Sequence, residues 1–325
     1  MNVLLCGGAG YIGTHVALEF MKRGAKVGIL DDFSSGLREN VDLSSTLYEG
    51  SILDATLLDQ VLGDGKWDHV IHLAAFKAAG ESMLEPSKYA YNNITGSLLL
   101  IEKCVTHGVK NFILSSSAAV YGEPVYLPID EEHPTKPANY YGYTKLAIEE
   151  NLAWFASLKG LNYVSLRYFN AAGYDIDGKM SGLESNPANL IPIVMEVACG
   201  QRELIEIYGD DYPTPDGTGV RDYVHVNDLA LGHALAVDYL EAGNAPLVVN
   251  LGSERGLSVR EIIDGARRIT GREIKERTVG RRAGDPANLV ASSAKAEKVL
   301  GWKAEHSSLD TIIETSWRAY QENIG

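Results

Sequence analysis

Short apolar runs alternate with amphipathic stretches along the first half of the chain. Residues 3–6, 26–30, 68–74, 111–115 and 162–167 are brief apolar runs bounded by turn-forming or polar residues, which predicts buried strands. Residues 11–23, 86–107 and 142–159 carry apolar positions at helical spacing, and Gly24 and Gly108 follow the first two as stop signals. Strands alternating with helices predict a mostly parallel sheet covered on both faces.

After about Arg167 the pattern changes. Gly, Pro, Asn and Asp collect at 171–189 and 208–219, while strand and helix pieces persist at 205–208, 227–241, 248–250, 258–270 and 308–322. Loop-rich segments inside a compact chain tend to carry function. The chain therefore divides into a regular α/β part, 1–167, and a smaller, irregular α/β part, 168–325. The boundary is blurred, because the second part is expected to lend elements back to the first sheet.

Composition narrows the classes of partner. The 325 residues include 29 basic and 43 acidic side chains, a net charge of −14. So acidic a chain has no basic excess to neutralise the phosphates of nucleic acid or an anionic membrane. No stretch reaches the ~18 apolar residues of a membrane span, and the start of the chain lacks the basic lead-in of a signal peptide. Cys6, Cys104 and Cys199 have neither disulfide-framework nor metal-site spacing, which predicts no metal site and a reducing, cytoplasmic setting.

The first chemical signal lies between the first strand and the first helix, at Gly7-Gly8-Ala9-Gly10-Tyr11-Ile12-Gly13. It reads either as G-x-G-x-x-G through Gly8, Gly10 and Gly13, or as G-x-x-G-x-x-G through Gly7, Gly10 and Gly13. Either way, the glycines let backbone approach a pyrophosphate, and the helix N-terminus supplies N–H donors and partial positive charge. Asp31 ends the next strand, eighteen positions after Gly13. A carboxylate there accepts hydrogen bonds from ribose hydroxyls and repels a 2′-phosphate, which favours NAD over NADP; Asp32 is its neighbour. The fold class is thus a Rossmann-type doubly wound parallel sheet with a smaller C-terminal part.

The second signal is Tyr141-Gly142-Tyr143-Thr144-Lys145. Tyr141 and Lys145 stand at i and i+4 and share one helix face. A nearby ammonium favours phenolate, so the tyrosine is expected to serve as a base near neutral pH. Alone, such a pair is more often a solvated helix face; beside a dinucleotide loop it reads as catalytic. Ser115-Ser116-Ser117 runs off the carboxyl end of a strand, where ligands of doubly wound sheets bind.

Together, the glycine loop, Ser115–Gly122 (SSSAAVYG) and Tyr141–Lys145 resemble the extended short-chain dehydrogenase/reductases. Leu166-Arg167-Tyr168-Phe169-Asn170, the blocks 208–214 and 216–226, and Arg281-Arg282-Ala283-Gly284-Asp285 are similar, in order and over nearly the whole chain, to the UDP-glucose 4-epimerase family. The resemblance implies that Tyr141 is the base at the sugar 4-hydroxyl, that Lys145 lowers its pKa, and that Ser117 bonds the 4-oxygen. It implies NAD contacts at Gly7, Gly10, Tyr11, Ile12, Gly13, Asp31, Asp32, Phe33, Ser34, Ser35 and Gly36. Further cofactor contacts are implied at Ser51, Ile52, Leu73, Ala74, Ala75, Lys77, Asn92, Ser115, Tyr141, Lys145, Tyr168 and Phe169. The UDP-sugar substrate would be held by Lys77, Ser117, Tyr141, Asn170, Asn189, Leu190, Glu206, Ile207, Tyr208, Arg221, Arg282 and Asp285, with Leu289 at the sugar. Guanidinium forks suit a pyrophosphate, which singles out Arg221 and Arg282 in an acidic chain.

Several positions depart from the family. Cys6 stands where threonine is usual, and Ser51 where aspartate is frequent. Ala118-Ala119 follow the serines where related dehydratases carry an acidic pair, which argues against dehydration. The resemblance implies reversible C4 epimerisation of a UDP-hexose, by hydride transfer to resident NAD and back to the opposite face of a 4-keto sugar. The alternatives are epimerisation of another UDP-sugar (a pentose or uronic acid), a net nucleotide-sugar oxidoreductase, and a non-catalytic NAD sensor. A homodimer through the helices at 86–107 and 142–159 is also implied.

Overall fold

The computed structural model describes residues 1–180, 182–183, 187, 189–282 and 285–323. Ala283 and Gly284, part of the Arg281–Asp285 motif, lie outside the described residues.

Seven parallel strands form the central sheet. Their spatial order is Leu247–Leu251, Asn162–Tyr168, Asn111–Ser117, His69–His72, Asn2–Cys6, Lys26–Asp31 and Thr46–Glu49. The inner strands are buried on both faces and rich in apolar residues, and alternation along each divides the core into two layers. Val3 and Leu5 pack with Val16, Phe20, Leu229 and Trp302 on one face. Leu4 and Cys6 pack with Leu58, Leu100, Ile148 and Leu152 on the other. The first strand lies between His69–His72 and Lys26–Asp31, so the chain leaves Cys6 and His72 on opposite sides of the sheet. That reversal opens a crevice at their carboxyl ends.

The later residues return to this sheet. Strand Leu247–Leu251 supplies its seventh member, and helix Val226–Glu241 packs on helix Tyr11–Lys22. The remainder is built around strand Val220–His225. It pairs parallel with Asn170–Ala172 and Asn288–Leu289 and antiparallel with Gly256–Ser258. A separate parallel pair joins Ile205–Tyr208 to Glu276–Val279. Helices Leu190–Ala198, Val259–Thr270 and Leu309–Glu322 share a third core with Ile205, Ile207 and Tyr223. Among the described residues, no helix is long and apolar enough to cross a membrane.

Several elements differ from the sequence expectation, and two of them lie in the cofactor part. The helix expected over 86–107 is Pro86–Tyr89, a π-helical turn at Ala90–Thr95, and Gly96–Thr106. The widened turn sets Asn93 facing the segment that follows His72. The Asn93 amide accepts from the Phe76 N–H at 2.9 Å and donates to the Phe76 carbonyl at 2.9 Å. Such π insertions recur at functional sites, because they re-aim side chains. Strand Thr46–Glu49 is an exposed edge strand without an apolar run, so periodicity does not reveal it.

Candidate active site

The glycine loop has one geometry, and it settles the two readings. Gly7 has φ +87°, and a Cβ there would stand 2.5 Å from the Ala74 nitrogen. A Cβ on Gly13 would stand 2.2 Å from the Gly7 carbonyl oxygen. Gly7, Gly10 and Gly13 line the crevice, whereas Gly8 is buried behind them against Ile29. The motif is therefore G-x-x-G-x-x-G. Gly10 is the N-cap of helix Tyr11–Lys22 and offers no side-chain cap, so the first-turn N–H groups remain open to an anion. Asp31 stands beside this loop, accepting the Ala9 and Phe33 N–H groups at 2.9 Å each. Burial pushes its carboxyl above the ordinary value, and the two backbone donors pull it back. An uncapped helix N-terminus, a glycine floor and a strand-end carboxylate fit a dinucleotide.

Every residue expected at the cofactor lines this crevice except Phe33, Gly36 and Ser115. Gly36 is the wall behind Asp31: a Cβ there would come within 2.9 Å of Asp31 Oδ1. The ring of Phe33 lies under the Arg38 guanidinium, 4.3 Å away. The Ser115 side chain is fully buried and turned toward His233 Nε2, 2.7 Å away. Its place in the site is through its carbonyl, which accepts from Lys145 Nζ at 2.8 Å. Phe76, inside the 73–77 segment that the resemblance places at the cofactor, also lines the crevice, and Asn93 holds its backbone there.

Tyr141 and Lys145 project from the first turns of helix Tyr140–Lys159. Asn139 caps this helix by accepting the Gly142 N–H at 2.9 Å. Gly142 lets the helix start against the 118–120 turn, since a Cβ would lie 2.3 Å from the Ala119 carbonyl oxygen. That contact brings Tyr141 to Ser117, whose hydroxyl hydrogen-bonds the phenol. Lys145 is 3% exposed, and burial lowers its ammonium to about 8, partly offset by the Glu149 carboxylate. The Tyr141 phenol is pushed above its ordinary value by desolvation, with the Ser117 hydrogen bond pulling it down. Here the ammonium is turned to the Ser115 carbonyl, and burial is the larger effect.

A second cleft of 440 Å³ opens beside the first, and the two share Asn170, Ala171 and Asn189. Asn189, Leu190, Glu206, Tyr208, Arg221, Arg282 and Asp285 line it, as expected. The Arg282 guanidinium stacks 3.7 Å from the centre of the Tyr208 ring. Arg221 donates to the Val220 carbonyl at 2.8 Å and stands 3.8 Å from Asp285. Arg202 also faces the cleft and pairs with Glu196 at 2.8 Å; sequence spacing gave no signal for it. Of the other residues expected at the substrate, Lys77, Ser117 and Tyr141 line the first crevice, and two line neither. Ile207 is 1% exposed and points into the third core, because strand alternation sends Glu206 and Tyr208 outward instead. Leu289 packs near Phe169 and Tyr121, outside both cleft linings.

Comparison with known proteins agrees with this geometry. Residues 3–252 match the NAD dependent epimerase/dehydratase family. The UDP-glucose 4-epimerase of Lacticaseibacillus casei is 45% identical over 99% of this chain and 98% of that protein. Among solved structures, UDP-glucose 4-epimerase from Brucella ovis in complex with NAD is 44% identical, with 98% of each chain covered and a TM-score of 0.96. The Bifidobacterium longum enzyme in complex with NAD+ and UDP is 39% identical, with 99% of each chain covered and a TM-score of 0.94. The chain belongs to the NAD-dependent epimerase/dehydratase family, among its UDP-glucose 4-epimerases.

Proposed function

We propose that this chain interconverts UDP-glucose and UDP-galactose at C4, with NAD resident in the first crevice and UDP in the second cleft. One observation carries the reading: Ser117, Tyr141 and Lys145 stand in the dinucleotide crevice, which is continuous with a cleft holding Arg221 and Arg282. A nucleotide-sugar spanning that junction places its sugar between the diphosphate grip and the tyrosine. Residues 1–167 form the cofactor part and 168–325 the substrate part.

Gly7, Gly10, Gly13 and the open helix N-terminus would hold the cofactor's pyrophosphate, and Asp31 its adenosine ribose. NAD, when bound, would supply the hydride acceptor and donor at C4, so the reaction has no net redox change. Ser117 orients the sugar 4-hydroxyl toward Tyr141. The Tyr141 phenolic oxygen accepts the 4-hydroxyl proton as the carbonyl forms and gives it back after the keto sugar has turned. Lys145 keeps positive charge beside the phenolate. Arg221 and Arg282 anchor the diphosphate while the sugar presents either face, which requires a tight nucleotide grip and a permissive sugar pocket.

A homodimer belongs to the same reading. Tyr143 (49%), Trp154 (65%) and Leu158 (67%) form an exposed stripe on helix Tyr140–Lys159, with Leu84 and Tyr91 exposed nearby in sequence to its neighbour. Light scattering on Trp154→Glu tests it, with a shift from two copies to one expected. A cytoplasmic setting accords with three unpaired cysteines.

The activity test is chromatography of UDP-galactose incubated with purified protein, paired with release of nucleotide on denaturation. Conversion to UDP-glucose and release of NAD are expected. No interconversion with NAD supplied, together with Tyr141→Phe leaving every activity unchanged, defeats the reading.

A further inference from the structure

Behind the catalytic side chains lies a buried ionic network that the reaction as described does not use. Glu149 follows Lys145 by one helical turn and shares its face. The Glu149 carboxylate receives the Arg167 guanidinium in a fork, with Nε at 3.0 Å from Oε1 and Nη2 at 2.6 Å from Oε2. Both side chains are nearly sealed from solvent, at 5% and 8% exposed. Ser116, directly before Ser117, donates its hydroxyl to Glu149 Oε1 at 2.5 Å. Arg167 Nη1 reaches the Tyr121 hydroxyl at 3.0 Å, and that hydroxyl donates to Asn250 Oδ1 at 2.6 Å. The network thus ties together the catalytic helix and the carboxyl ends of strands Asn111–Ser117, Asn162–Tyr168 and Leu247–Leu251.

Stability is a weak reason to keep such a pair. Two buried charges cost desolvation that a well-packed apolar pair of similar volume avoids. The position of the pair suggests a different reason. Lys145 has one buried carboxylate on its own helix, one turn away, and Ser117 has one polar neighbour anchored to that same carboxylate.

We propose that Glu149 is a positioning residue of the epimerisation site: it fixes Ser117 through the Ser116 hydroxyl and holds Lys145 protonated, with Arg167 as its counter-ion. The proposal rests on the reading in which Tyr141, Ser117 and Lys145 perform the chemistry. The groups facing the Lys145–Glu149 pair come from four sides. Strand Asn162–Tyr168 contributes Arg167 and Tyr163, and strand Asn111–Ser117 the Ser115 carbonyl and Ser116 hydroxyl. The helix itself adds Tyr141. His72 faces Lys145 from strand His69–His72 and is held neutral by burial, at about 3. Glu149 is therefore the charge that acts on Lys145, and Arg167 acts through its fork on Glu149.

The test is the pH profile of kcat/KM for UDP-galactose in two charge deletions and one hydroxyl deletion. Glu149→Gln keeps shape and removes negative charge, so the alkaline limb is expected to move down by about one pH unit. Arg167→Met leaves Glu149 to Lys145 alone, so the limb is expected to move up. A merely structural pair would lower kcat and Tm in both variants with the limbs unmoved, and that result overturns the proposal. If the charge deletions fail to fold, Ser116→Ala decides. A fall of about fivefold in kcat at unchanged KM supports the proposal, and wild-type kcat overturns it. Tyr141→Phe separates the two levels. An active Tyr141→Phe sinks the catalytic reading itself; an inactive one, with unmoved limbs in the charge variants, sinks only the role of Glu149.

Discussion

The two ends of the site are built on opposite principles. At the chemical end, Lys145 is 3% exposed, its ammonium is fixed on a strand carbonyl, and Ser117 is anchored through its neighbour to a buried carboxylate. At the nucleotide end, Arg282 and Asp285 are exposed, and Arg202 lies on the surface in an ion pair with Glu196. Arg282 leans on a tyrosine ring, and Arg221 bonds its own strand's backbone. Proton and hydride transfer depend steeply on position, and the groups proposed for them sit on strand ends and a capped helix. Gripping a diphosphate tolerates side-chain adjustment, because a guanidinium finds phosphate oxygens from several directions. Damage at the chemical end should therefore appear in kcat, and damage at the nucleotide end in KM.

The largest effect is expected at Tyr141. Tyr141→Phe removes the proposed proton acceptor and little else, and should cost on the order of 10³ in kcat, within the usual range for a general base. Titration with UDP should show nucleotide affinity retained; a comparable loss of UDP binding would erase the contrast between the two ends. Gly7→Ala should act almost as strongly, through cofactor occupancy rather than chemistry. Its φ of +87° and the 2.5 Å approach to Ala74 leave no room for a methyl group. The expected outcome is protein that releases little NAD on denaturation, and full occupancy would contradict the cradle geometry. A third measurement is the alkaline limb of the wild-type profile. With Lys145 lowered to about 8, protonated Lys145 is lost as pH rises through that value, so kcat/KM should fall there rather than above pH 10.

Most of the chemical end was legible in the sequence, because its groups are short-range. The loop Gly7–Gly13 and the pair Tyr141/Lys145 each lie within one turn or one helix face, where spacing fixes geometry. The network behind them was not legible: Glu149 and Arg167 are eighteen positions apart and meet only because helix and strand pack in register. Asn93 was hidden for a related reason, since a π turn defeats a period of 3.6. The block 216–226, on which the family resemblance leans heavily, turns out to be mostly scaffold. Asp222 is buried and accepts from Ser253, Glu254 and Ala291. His225 lies beneath Gly173 and bonds Thr315. Within strand Val220–His225, Arg221 turns its charge to the cleft. A specific motif thus identified the family while saying little about which of its residues meet the ligand. Ile207 makes the same point on a smaller scale, because strand alternation decided what proximity in sequence could not.

The nucleotide end is tested by grading its two arginines. Arg221 is partly buried, 18% exposed at the side chain, and its guanidinium is already oriented by the Val220 carbonyl. Losing a charge-assisted bond to phosphate from such a group costs about 1.5–3 kcal/mol, so Arg221→Ala should raise KM for UDP-galactose about ten- to hundredfold with kcat nearly unchanged. Arg282 is exposed, and its position rests on stacking over Tyr208 at 3.7 Å. Arg282→Lys keeps the charge and loses the flat stack and the fork, a change of about 0.5–1 kcal/mol at an exposed site. The expected result is a rise of about threefold in KM, with UDP release faster and kcat unaltered. Tyr208→Leu should reproduce that rise in the wild-type background and add little to Arg282→Lys, since both remove the same contact. Full additivity would mean that the ring holds the nucleotide itself. The tolerance seen at this end would then come from ring contact with the nucleotide, and not from the reach of its arginines.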